Sequence, residues 1–185
     1  MPVLYEDDAR ALVARAFRSA GVSAPGLAED AAHALVLTQM MGITSHGIAR
    51  VPSYFGRLAA GGMNPDARIT VNAPAPALRL IDADAGLGAG VAMAALRVTM
   101  QAARETGLAG SFIRRATHLG ALAPLLWLAA EAGFAAIITT NTAPMIAPPG
   151  GRAARVGNAP LGLAIPDVNG GHVILDMALS VAARS

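Results

Sequence analysis

The chain has 185 residues, a formal net charge of +2 and no cysteine. That is room for one ordinary domain, or one small and one medium unit, and it excludes disulfides, thiolate metal sites and a cysteine nucleophile. All fourteen basic residues are arginine, so no lysine can form a Schiff base or reach a phosphate from a P-loop. The arginines are scattered and aromatic residues are only 4% of the chain, which leaves neither the basic stripe nor the stacking platform of a nucleic-acid binder.

The N-terminus, MPVLYEDDAR, carries acids where an export signal would be basic and then apolar, so a cytoplasmic protein is expected. Residues 5–20 place Leu12, Val13, Ala16 and Phe17 at helical spacing and end at Gly21, which predicts a first amphipathic helix. Ser23 and Pro25 open a second helix to about Met41, with Leu27, Ala31, Leu35 and Thr38 on one face and Glu29 and Asp30 near its positive end. His33 lies inside it as a structural residue. After a polar connector, Pro52 fits the first turn of a third helix that stops at Gly61-Gly62. Residues 1–63 therefore read as a helical unit and 64–77, rich in Pro, Asn and Asp, as a link.

From 78 to 185 the pattern alternates. Strands are predicted at 77–81, 108–114, 134–140, 161–165 and 172–175, with helices at 88–106 and 119–132, an α/β arrangement. The most apolar run, 119–130, contains Pro124 and is too short to cross a bilayer, so no membrane partner is expected.

The connector TSHGIARVPSYFGRL holds Ser45, His46, Arg50 and Tyr54 close together. Histidine is the side chain whose ordinary pKa lies near neutrality, and arginine can grip a carboxylate through two parallel hydrogen bonds. The set suits acid-base chemistry on a small organic acid, against the plainer reading of a polar turn between helices. DADAGLGAGV, between a strand and a helix, imitates a dinucleotide-binding loop, but Gly86, Gly88 and Gly90 make GxGxG and position 91 is valine. Its glycines read instead as a tight turn and close helix packing, and Asp82 and Asp84 as turn acceptors rather than a metal site. His118 sits at a strand-to-helix junction, where ligand groups gather in α/β sheets, or else bonds backbone at a helix start. Asp176 follows VIL in a strand that reads as buried, where a carboxylate needs a partner such as histidine.

In order, SHGIARVPSYFGRLAAGGMNP, DADAGLG, AARETG, THLGALAPLLWLAAEAGFAAIITTN, APPGG, GNAPLGLAIP and VILDMALSVA resemble the malate/L-lactate dehydrogenase family, whose members include ureidoglycolate, sulfolactate and diketogulonate oxidoreductases and cyclic-imine carboxylate reductases. The resemblance covers nearly the whole chain. It implies a helical N-terminal unit followed by part of a mixed-sheet, non-Rossmann nicotinamide-binding domain. It also implies hydride transfer between NAD or NADP and a small 2-oxo or 2-hydroxy acid, in a homodimer. By resemblance His46 is the general acid/base, Ser45 and Asp176 belong to its relay, and Arg50 and Tyr54 bind substrate. His118, Leu119, Gly120, Ala121 and Leu122, with Asp176, Met177, Ala178 and Ser180, line the cofactor.

Two departures stand out. The family pattern GTNP is here Gly157-Asn158-Ala159-Pro160, and the chain reaches Ser185 where members continue for a comparable length with a KG-containing cofactor segment. The chain is therefore expected to be an N-terminal portion of such an enzyme, with a non-catalytic remnant acting as a binding or assembly partner as the alternative.

Overall fold

The structure of the protein, a computed structural model, describes residues 4–180. The chain divides after Gly120 into two compact units. The first opens with α1 (Glu6–Ser19), which has Glu6, Asp7 and Asp8 in its first turn and Arg18 in its last, charges that complement the helix dipole. Its apolar stripe buries Val13 and Phe17, whereas Leu12 stays half exposed. α2 (Leu27–Met40) follows Gly26, whose φ of 73° turns the chain into the helix. Leu27, Ala31, Leu35 and Thr38 are buried along one face, as their spacing predicts. An ion pair between Arg18 and Glu29 links the two helices.

The connector is more ordered than a polar turn. Two short 3-10 turns, Thr44–His46 and Ile48–Arg50, lead into α3 (Val51–Ala59), with Pro52 in its first turn. Gly47 separates them and is buried. A Cβ there would stand 2.6 Å from Gln39 Oε1 and 3.0 Å from Gln39 Cα, so the absence of a side chain lets the connector lie on α2.

The 64–77 segment, expected to be a link, contains a strand, β1 (Thr70–Ala75), with every residue exposed. A strand with no buried face has no alternation of apolar and polar residues to betray it, and as an edge strand it tolerates Pro74. β1 pairs antiparallel with β2 (Leu78–Asp82), and β2 pairs parallel with β3 (Gly110–Arg114), giving a mixed three-stranded sheet. The long helix α4 (Gly88–Thr106) makes the crossover between the parallel strands, at the bounds its sequence predicts.

α2 and α4 meet closely. Gly90 lies so near Leu27 that a Cβ would be 2.5 Å from its carbonyl oxygen, and Arg97 grips Asp30 through two bonds of 2.7 and 2.6 Å. The helices and the mixed sheet thus form one body, and the division differs from the sequence-based 1–63, 64–77 and 78–185. The GxGxG loop is part of the reason: its glycines, read as a tight turn and close helix packing, form a seam along which elements touch.

The second unit holds α5 (Ala123–Glu131), β4 (Ala136–Thr139), β5 (Leu161–Ile165) and β6 (Val173–Met177). The strands form an antiparallel sheet in chain order. Leu122, Leu126, Ala130 and Ala164 are its core, flanked by Ala136, Ile138 and Ile174. Gly162 lets α5 sit flush on β5, since a Cβ would be 2.6 Å from Leu126 Cδ1. The opposite sheet face is apolar and open, with Ile137 75%, Val173 62% and Leu175 38% exposed. β6 is therefore exposed along most of its length, not buried as VILD suggests. No helix among the described residues is long and apolar enough to cross a membrane.

Gly90→Ala is expected to lower unfolding stability by about 1–3 kcal/mol, because the added methyl meets backbone rather than a yielding side chain. Denaturant unfolding checks it, and Gly56→Ala, at a helical position with no atom near the added methyl, is the control expected to cost nothing.

Candidate active site

The first unit gathers five of the residues singled out from the sequence. Ser45 and His46 belong to the first 3-10 turn, with Ser45 Oγ 2.9 Å from His46 Nδ1. Arg50 ends the second turn and donates from Nε to the Ser45 carbonyl at 2.6 Å, which ties the guanidinium to the histidine's own turn. Among the described residues its two terminal nitrogens make no hydrogen bond, so both remain available to a carboxylate. Tyr54 lies one helical turn beyond Arg50, on the same side of α3.

Tyr54 is 1% exposed, its ring against Phe17 at 6.2 Å between centroids. Its hydroxyl stands 2.8 Å from Nδ1 of His118. The His118 ring stacks with that of His46, 5.9 Å apart and 24° from parallel. Two imidazoles, an arginine and a phenol from distant parts of the sequence therefore share one place.

Their environments differ. Burial pushes the His118 imidazole down to about 4, helped by the nearby charges of Arg50, His46 and Arg57. His118 is accordingly neutral at physiological pH. Burial pushes the Tyr54 phenol up to about 12, with Arg50 and Arg57 pulling weakly the other way. The phenol therefore keeps its proton.

Sequence reasoning missed what holds His118 in place. Thr117 Oγ1 donates to the Gly86 carbonyl at 2.8 Å and accepts from the Gly88 amide at 2.9 Å. A Cβ on Gly88 would stand 2.5 Å from the His118 carbonyl oxygen and 2.6 Å from that of Thr117. The near-miss glycine loop thus faces carbonyl oxygens of its own chain, a surface that repels phosphate, and its amides are partly spent on Thr117. The visible signal was the GLG spacing itself. Beside it, Asp82 receives both Arg114 and Arg115 and the Asp84 amide, and Asp84 receives Arg115, Asn64 and the Arg68 amide. The Arg115 guanidinium first, then the Asp84 amide, hold the Asp82 carboxyl below the usual carboxylate range. Both acids act as turn and ion-pair acceptors.

In the second unit, Asp176 on β6 turns its Oδ2 to the start of α5, where it accepts from the amides of Leu122 and Ala123, each at 2.8 Å. A carboxylate at a helix N-terminus satisfies donors with no partner in the helix and complements its dipole. Those amides are therefore not free to take a phosphate. The Leu122 side chain is 1% exposed and belongs to the core of this unit. The altered Gly157-Asn158-Ala159-Pro160 segment is held from both sides: Thr142 Oγ1 bonds Asn158 Oδ1 at 2.9 Å, and the Asn158 carbonyl accepts from the Leu179 amide at 2.9 Å. Asn158 is thereby tied to the Met177, Ala178 and Ser180 stretch. His172, which nothing in its sequence context marked, bonds Glu131 at 3.0 Å.

The family model described as Malate/L-lactate dehydrogenase matches residues 4–185. The chain belongs to the malate/L-lactate dehydrogenase family. It is 35% identical over 147 residues to the malate dehydrogenase of Pyrococcus abyssi, an alignment covering 80% of this chain and 40% of that protein. It is 32% identical over 156 residues to the ureidoglycolate dehydrogenase (NAD(+)) of Escherichia coli K12, covering 84% and 45%. The structure of Δ1-piperideine-2-carboxylate reductase from Pseudomonas syringae superposes with a TM-score of 0.91 at 28% identity, over 99% of this chain and 55% of that one. The chain thus spans about half the length of the relatives it matches. The non-Rossmann mixed α/β fold implied by the sequence resemblance is the fold of these dehydrogenases and reductases.

The half-buried His118 generates a pH dependence of stability. In the unfolded chain its imidazole takes a proton near the ordinary value of 6.5, whereas the folded site resists protonation until about 4. The unfolded state binds more protons between these values, so His118's contribution is complete above pH 6.5 and is lost as pH falls toward 4. The midpoint of thermal unfolding is expected to drop across this window in the wild type and to drop less in His118→Gln.

Proposed function

We propose that this family member is an NAD(P)-dependent oxidoreductase acting on a small 2-oxo or 2-hydroxy acid. The observation that carries the reading is the juxtaposition of Arg50, with both terminal nitrogens available, and His46, held by Ser45 on the turn that Arg50 itself braces. Arg50 grips the substrate carboxylate in two bonds and so fixes the neighbouring carbon. His46 then gives or takes the proton at the substrate oxygen, with Ser45 orienting its ring through Nδ1. A bound nicotinamide would supply or accept the hydride at that carbon.

The residues suit such a cofactor in part. Gly120, at φ 89° with open space where a side chain would be, gives a flat backbone surface beside Leu119 and His118. By the family resemblance, Ala121, Met177, Ala178 and Ser180 of the second unit would also contribute to holding the cofactor. Leu122 and Asp176 would act there through core packing of the second unit and by holding the first turn of α5. The ureidoglycolate relative is named for NAD(+), and both NAD and NADP remain within the reading. A homodimeric, cytoplasmic enzyme is part of the same proposal, resting on the family resemblance and the cysteine-free sequence.

The test is oxidation of NADH and NADPH by the protein with a panel of 2-oxo acids and cyclic imino acids. His46→Ala is expected to lower kcat roughly 10²- to 10⁴-fold. Arg50→Leu is expected to raise KM and lower kcat together, and Arg50→Lys to restore little, because an ammonium cannot make the paired bonds. Unchanged turnover in His46→Ala, or no reduction of any acceptor, removes the reading. Saturable cofactor binding without turnover would instead fit a binding partner.

A further inference from the structure

Tyr54 is assigned to substrate by the sequence resemblance, yet its phenol is buried and directed at a histidine. Its 1% exposure leaves no path for a substrate to reach the hydroxyl without displacing His118. The 2.8 Å contact to Nδ1 admits two arrangements, phenol donating to a bare Nδ1 or Nδ1–H donating to the phenol oxygen. The surroundings decide between them. Arg50 and Arg57 on α3 and its preceding turn, and His46 stacked on the ring, are the charged and titratable groups acting on His118. An added proton is unfavourable among them, so the imidazole is neutral and has one N–H to place. Tyr54, 1% exposed and without another bond among the described residues, must spend its O–H, because an unmade bond there costs the full desolvation of the group.

We propose that Tyr54 is a positioning residue that donates to Nδ1 of His118 and holds it as the Nε2–H tautomer, so that the cluster presents a fixed neutral donor beside His46. The clamp has a backbone half. Gly88 and Thr117 fix the main chain of residues 117–118 from one side, and Tyr54 fixes the ring through Nδ1. With both in place the ring cannot flip without losing a buried bond. The Nε2–H is then the hydrogen-bond donor this histidine offers to an acceptor oxygen, and it cannot exchange roles with His46. His118 is thus the imidazole of the stacked pair that donates from a fixed nitrogen. The class of ligand this suits is a carbonyl or carboxylate oxygen. That last step rests on the oxidoreductase reading, whereas the tautomer itself does not.

Long-range proton–nitrogen correlation spectra of the ¹⁵N-labelled protein measure the tautomer directly, with no cofactor and no turnover. His118→Gln assigns the signals. In the wild type, His118 is expected to show an unprotonated Nδ1 and a protonated Nε2 that persist as pH is lowered through 6 to 5, with a slowly exchanging phenolic proton close to the ring. Tyr54→Phe, which removes one oxygen from a packed ring, is expected to lose the phenolic proton and bring a detectable share of the Nδ1–H form. A wild-type His118 protonated mainly at Nδ1 overturns the proposal whatever the variant does. So does a Tyr54→Phe spectrum with the tautomer ratio unchanged. Failure of the turnover assays with the tautomer as described would instead count against the oxidoreductase reading alone.

Discussion

The constraint on which the first unit depends is backbone approach at the start of α4. Gly86, Gly88 and Gly90 face three different neighbours, respectively Ala67, the Thr117–His118 carbonyls and Leu27. Each contact is tighter than a side chain allows, and at Gly88 and Gly90 it is with carbonyl oxygens, so the start of the helix is placed largely by main chain against main chain. α4 thereby fixes both α2, on which the histidine-bearing turns rest, and the segment that carries His118. A dinucleotide-binding loop uses glycine to let a phosphate approach; here the same residue admits another part of the protein.

That placement explains how two histidines far apart in sequence meet with unequal properties. His46 belongs to a turn held at Gly47 against α2, and His118 to a loop held at Gly88 against α4. Both supports are steric, so the stacking distance does not rely on an attraction between the rings, which like-charge repulsion would oppose if both were protonated. Burial and two arginines then make His118 the poorer base.

Much of this was legible in the chain. The helical periods of α1 and α2, the Pro52 helix start and the bounds of α4 follow from apolar spacing and capping, which are local properties. The proximity of Ser45, His46 and Arg50 was also local, and the family resemblance added the chemistry. β1 was hidden because none of its side chains is buried and pattern reading needs a buried face. The Tyr54–His118 contact joins residues 64 apart, and no spacing rule connects a helix face to a loop beyond a sheet. Asp176 was given a need for a partner because VIL read as a buried strand; the strand is exposed, and the partners it does have, backbone amides, leave no signature in sequence.

The Asp176 contact has a consequence for the order in which the second unit assembles. The carboxylate that closes the first turn of α5 comes from a strand 54 residues further along. β6 must be paired on β5 in the register that sets Asp176 opposite Gly162 before the helix acquires its cap. Until then α5, a nine-residue helix, is too short to persist on local bonds alone. The stability of α5 is therefore tied to a contact distant in sequence, and the helix and the last strand of this unit support each other.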